Sequence, residues 1–170
     1  MLIKSYEISK KNLNSLNFFL IYGENIGLKQ DIIKSVLELK EKKKEKYKQF
    51  EFEEEEIIKN QNNLFNLIFS GSLFDKKKAI FINRTTDKLF NLINEISKKD
   101  VEDILIFFKA DQLEKKSKIR NLFEKDKNFV CVPCYQDNNF DLAKIINDKI
   151  KQTKIKLSNE SINLLIERAR

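Results

Sequence analysis

Histidine and tryptophan are absent from this 170-residue chain, and cysteine occurs only at Cys131 and Cys134. Without histidine there is no commonest general base, no Ser-His-Asp or Cys-His arrangement and no His-ligated metal. Two cysteines make no disulfide framework. Long apolar runs are missing too. Ile104 to Phe108 is among the longest, far short of the roughly 18 residues of a membrane-spanning helix. The opening MLIKSYEISKK has no apolar stretch of the signal-peptide kind. The chain therefore reads as cytoplasmic, with no membrane partner. Arginine is scarce, occurring at 84, 120, 168 and 170.

What is present is 41% hydrophobic and 35% charged, the composition of a soluble globular protein. The length suits one domain, or one domain and the start of another. The balance of 33 Lys and Arg against 26 Asp and Glu gives a net charge of +7. A basic domain invites a nucleic-acid reading. However, Lys, Asn, Ile and Phe are abundant together, as codon bias in an AT-rich genome produces, so part of the charge carries no functional information.

Short apolar runs alternate with amphipathic stretches. Asn17 to Tyr22 (NFFLIY) reads as a buried strand, Gly23 to Gly27 as a turn, and the spacing of Leu28, Ile32, Ile33, Val36 and Leu37 as a helix. Gln49 to Glu53 alternates like a second strand, and Glu54 to Phe69 reads as one helix. Lys78 to Ile82 is a third strand, and Asp87 is placed to cap a helix carrying Leu89, Phe90, Ile93 and Ile96. Asp103 to Phe108 is apolar on both faces, as a central parallel strand is. Leu113 to Phe123 reads as a Lys-rich helix and Phe129 to Val132 as a fifth strand. Two more helices follow, around Leu142 to Ile150 and after a Ser158 cap. The alternation predicts a three-layer αβα fold on a five-stranded, mainly parallel sheet.

The turn after the first strand compares with a phosphate-binding loop, G-x-x-x-x-G-K-[ST], whose amides and Lys hold phosphates while its hydroxyl holds Mg²⁺. Gly23 and Lys29 have the right spacing. Leu28 replaces the second glycine, Gln30 replaces the hydroxyl, and Glu24 adds negative charge. The acidic residue expected after the partner strand arrives late, as Asp111 beside Gln112. Both halves of a nucleotide site are defective, and a nucleotide-free fold outweighs a small P-loop NTPase using Lys29 and Asp111. No cofactor is expected.

Four other features carry readings. Ser72, Leu73 and Phe74 put an apolar pair in a loop beside Gly71, suited to a partner's pocket or to capping the core. Cys131-x-x-Cys134 lacks the further ligands zinc needs, and Cys131 falls in a strand, where a thiol acts as a small hydrophobe. The acidic run from Glu51 to Glu56, following the basic run from Lys40 to Lys48, reads as a solvated surface, not a metal site. Lys76, Lys77 and Lys78, with Lys115, Lys116, Lys118 and Arg120, are candidate DNA contacts, set against the simpler reading of a solvated face.

NFFLIYGEN, SLFDKKKAIFI, RTTDKL and ILIFFKADQLEKKSKIRNLFEK, in this order and with a degenerate P-loop, resemble the N-terminal region of the bacterial DNA polymerase III delta subunits. The resemblance runs from about Phe18 to Leu165. It implies an AAA+ fold without ATP hydrolysis, within a clamp loader attached to a DNA-directed DNA polymerase (a nucleotidyltransferase complex). It further implies that Leu73 and Phe74, with Ser72, bind the sliding clamp and help open it. By the same resemblance, residues 1–140 are the AAA+-like domain, and residues 141–170 are a linker helix and the start of a helical lid. The collar that joins other clamp-loader subunits lies beyond this sequence. The family's other subunits can offer an Arg to a neighbour's ATP, and none lies between Asn121 and Glu167. A basic DNA-binding module is the alternative.

Overall fold

The computed structural model describes residues 1–41, 46–69, 77–99, 101, 103–153 and 155–169. They form two compact units, Met1–Cys134 and Tyr135–Arg170. The first contains a five-stranded sheet of β1 (Phe18–Tyr22), β2 (Lys48–Glu53), β3 (Lys78–Asn83), β4 (Ile104–Ala110) and β5 (Phe129–Pro133). Its order is β2-β3-β4-β1-β5, and every strand pair is parallel. The strand apolar on both faces, β4, lies at the centre, because only a strand covered on both sides can be apolar on both.

Strand alternation splits the core in two. Phe19, Ile21, Leu105, Phe107 and Val130 point to the face covered by α1 (Ile26–Lys40) and a 3₁₀ segment, Ser5–Lys10. There Phe19 and Phe81 each stack on Phe107, with centroids 5.1 Å apart, so one aromatic row crosses three adjacent strands. Phe18, Leu20, Ile106, Phe108 and Phe129 point to the opposite face. That face is covered by α2 (Glu54–Lys59), α3 (Gln61–Phe69), α4 (Phe90–Ile96) and α5 (Lys118–Lys125). Phe123 of α5 meets Phe108 and Phe129 at 5.6 and 4.7 Å. Aromatic pairs of this kind add about 0.5–1.5 kcal/mol each beyond their buried area.

Several boundaries differ from the sequence reading. The helix expected over 54–69 is two helices, broken at Asn60, whose amide side chain favours non-helical backbone. The acidic run is not all solvated. Glu54 is buried and accepts hydrogen bonds from Thr86 N (2.6 Å) and Oγ1 (2.9 Å), tying α2 to the loop after β3. Asp87 does not cap its own helix. Thr86 caps the 3₁₀ turn Asp87–Leu89 that leads into α4. The Asp87 carboxylate instead accepts from Ser117 Oγ (2.6 Å), Lys118 N and Ile119 N (both 3.0 Å), capping α5 from another element. The second unit pairs α6 (Asn139–Thr153) with α7 (Asn159–Arg168), the latter capped by Ser158 as expected.

Burial works to raise the Asp87 carboxyl, but the Ser117 hydroxyl, the two amides and the Lys118 charge outweigh it and hold it below its usual range. A carboxyl depressed in the folded state stabilises above its unfolded pKa of about 3.9, and that support is lost as pH falls through the folded value. Asp87→Ala is expected to lower the unfolding free energy by about 1 kcal/mol at pH 7. Urea melts at successively lower pH should show the difference shrinking through the carboxyl range.

Candidate functional site

The C-terminal ends of β1, β4 and β5 meet at Gly23. Its amide faces two carbonyls, Asp111 O at 3.1 Å and Ala110 O at 3.3 Å. On the other side, Cys134 N donates to Tyr22 O (2.7 Å) and Asn25 N donates to Cys134 O (3.1 Å). Gly23 has φ +126°, and a Cβ there would lie 2.1 Å from the Cys134 carbonyl oxygen. Glycine is required at this position by both conformation and space.

The spacing of Gly23 and Lys29 matches a phosphate loop, but the backbone between them does not form one. The sequence reading starts the helix at Leu28; α1 begins at Ile26, with Asn25 as its cap accepting from Leu28 N at 2.9 Å. Only Gly23, Glu24 and Asn25 remain to join strand and helix. The amides of Gly23, Asn25, Leu28 and Lys29 all bond within the chain. Gly27 and Leu28, placed in the loop by the motif, are the second and third residues of the helix, and Leu28 packs on the core beneath α1. Gln30 is exposed, while Lys29 beside it is buried.

Lys29 turns inward. Its ammonium donates to Ala110 O at 2.8 Å and lies 3.7 Å from Asp111 Oδ1. Asp111 is 92% exposed, so this ion pair contributes little, and the bond to the buried carbonyl matters more. Gln112 Nε2 donates to Glu24 Oε1 at 2.6 Å and closes the loops a second time. Thus Lys29 and Asp111 do come together, as a brace between β1–α1 and the end of β4.

The C-x-x-C pair is split by the sheet. Cys131 belongs to the core on the α2–α5 face and Cys134 to the core on the α1 face. Both are buried, and desolvation pushes each thiol up to about 12. A thiol held protonated is neither a nucleophile nor a metal ligand at neutral pH.

The candidate cations separate. Ser72, Leu73, Phe74 and Lys76 lie outside the described residues. Lys77 sits 5.9 Å from the Tyr47 ring centroid. Lys78 is buried, with its ammonium donating to Leu67 O at 2.7 Å, which withdraws it from the DNA candidates. Because α5 starts at Lys118, Lys115 and Lys116 precede the helix and do not share its face, contrary to the sequence reading. Arg120 also turns inward: it donates to Leu113 O (2.9 Å) and Glu124 Oε1 (2.8 Å) and stacks 5.1 Å over Tyr22. Sequence reasoning missed the Asn25 cap, although an Asn directly before an apolar-periodic run is a helix-start signal.

Among the described residues no helix is long and apolar enough to cross a membrane. No protein-family model matches the chain. No curated protein matches it either. Among solved structures it is similar to the Bacillus subtilis DNA clamp loader delta protein (YqeN), with a TM-score of 0.63 and 11% sequence identity. The match covers 95% of this chain and 50% of that one, so the chain spans about half the length of its neighbour. At this identity the likeness establishes the fold, a three-layer α/β domain on a five-stranded parallel sheet.

Lys29→Met is expected to act on stability. It removes the ammonium from the buried Ala110 carbonyl, which keeps the Gly23 amide, at a cost of about 0.5–1.5 kcal/mol. Urea unfolding, monitored by circular dichroism, measures this directly; an unchanged midpoint would show that the brace carries no energy.

Proposed function

We propose that this chain is the N-terminal part of a clamp-loader subunit of the delta type, which binds and helps open a sliding clamp during DNA replication without hydrolysing ATP. The observation that carries the reading is the occupied loop at Gly23 to Asn25. In a fold similar to a clamp loader delta protein, the amides of Gly23, Asn25, Leu28 and Lys29 are bonded within the chain. A small P-loop NTPase would need those amides free, so the Lys29–Asp111 pair alone does not favour it.

The mechanism is binding, not bond making. Leu73 and Phe74, supported by Ser72, enter an apolar pocket on the clamp and bind its open form better than its closed form. A ligand shifts such an equilibrium only by its differential affinity for the two states. Residues 1–140 form the binding domain. Residues 141–170 begin a helical lid, and the other loader subunits join through segments beyond it. Lys76 and Lys115 are the cations left to meet DNA beside the clamp, in keeping with a cytoplasmic replication protein.

Burying a Leu and a Phe contributes about 1.5–3 kcal/mol each. The Leu73→Ala/Phe74→Ala protein is therefore expected to bind the matching sliding clamp roughly two to four decades more weakly. Calorimetric titration of the clamp with both proteins makes the comparison. Undiminished affinity in the double variant would remove the site, and no binding by the unmutated folded chain would remove the reading.

A further inference from the structure

The cations reassigned by the position of α5 do not form a track. On this helix Lys118, Asn121, Leu122 and Lys125 recur at i, i+3, i+4 and i+7, which places them on one face. Together with Phe90, at the start of α4, Lys116 and Asp126 they line a shallow groove of about 510 Å³. That size is in the usual range of binding clefts. Its floor is apolar: Leu122 and Phe90 are half-buried against the core and half open to solvent. Its rim carries three exposed cations, Lys116, Lys118 and Lys125, against one half-buried acid, Asp126.

The nearby acids are already engaged. Glu124 is bound to Arg120 at 2.8 Å, and the Asp126 carboxylate accepts from Asn128 N at 2.9 Å. Glu114 lies 2.9 Å from Lys116, but both side chains are more than 70% exposed, and such a pair yields readily to a competing carboxylate. The Asn121 amide caps the carbonyls of Lys115 and Ser117 at 2.8 and 2.7 Å, holding the Lys-bearing turn against the helix. The Asp87 carboxylate is likewise engaged, capping the N-terminal end of α5 through Ser117 Oγ and the amides of Lys118 and Ile119.

We infer that the α4–α5 groove is a docking site for a short acidic peptide segment of a partner protein that carries one or two large apolar side chains. The carboxylates meet Lys116, Lys118 and Lys125, and the apolar side chain rests on Leu122 and Phe90. Charge complementarity selects the sign of the partner. The floor selects against a nucleic-acid backbone: the cations surround an apolar patch one or two side chains wide, where a phosphate track would need polar donors in file. The inference stands without the clamp reading.

The test uses the whole chain and a fluorescein-labelled hexapeptide of four acidic residues followed by leucine and phenylalanine, read by fluorescence anisotropy. A control peptide carries two serines in place of the apolar pair, and unlabelled oligothymidylate of equal charge serves as competitor. The apolar peptide should bind saturably, and the serine peptide about tenfold more weakly or worse. Lys118→Glu/Lys125→Glu alters only exposed side chains and so keeps the fold, which a thermal melt verifies. It should weaken binding of the apolar peptide by about tenfold or more. Absence of binding, equal binding of the two peptides, indifference to the charge reversal, or displacement by oligothymidylate at equal concentration would each overturn the proposal.

Discussion

The end of the sheet is organised by one close approach, the backbone of Gly23 against the carbonyl of Cys134. No side chain fits between them, and the φ of +126° suits no L-residue well. Through this contact the ends of β1 and β5 are joined directly, and the Gly23 amide reaches across to β4. Once the chain has turned there, Asn25 can cap α1 at once, and the helix starts too early to leave a loop. Lys29 is then on the first turn, pointing at the end of β4, where its ammonium finds the Ala110 carbonyl. The short link, the early cap and the inward lysine follow from that one contact.

That geometry explains how a motif can keep its spacing and lose its chemistry. Phosphate is held by amides that point at it and have no other partner. Here the amides of Gly23, Asn25, Leu28 and Lys29 have partners in the chain. The lysine that would neutralise phosphate instead satisfies a buried carbonyl. Lys29 and the turn at Gly23 are thus part of the frame that joins the strand ends.

Much of the fold was legible because it rests on periodicity. The five strands, their parallel arrangement and the central place of Ile104–Ala110 follow from alternation and from apolarity on both faces. What was not legible depends on contacts between distant elements. Asp87 looks like a cap for the helix beside it, and only the packing of the Asp87–Leu89 turn against α5 shows that it caps the other one. Glu54 looks like one charge in a solvated run, and only the Thr86 loop shows it to be buried. Lys78 and Arg120 look like surface cations because sequence counts charge and not direction. The side-chain defects at Leu28 and Gln30 were visible, whereas the early helix start, which decides the matter more firmly, required recognising Asn25 as a cap.

The most direct measurement separates these two kinds of defect. Leu28→Gly/Gln30→Thr restores the phosphate-loop motif while leaving Gly23, Asn25 and Cys134 as they are. ATP binding with millimolar Mg²⁺ would be measured by calorimetry for this variant and for the unmutated chain. If the backbone is what closes the site, neither protein binds, because the amides stay bonded within the chain and α1 still starts at Ile26. Binding by the restored variant would mean that two side chains alone had silenced the loop, and binding by the unmutated chain would mean that the loop opens to nucleotide; either result would contradict a site closed by its backbone.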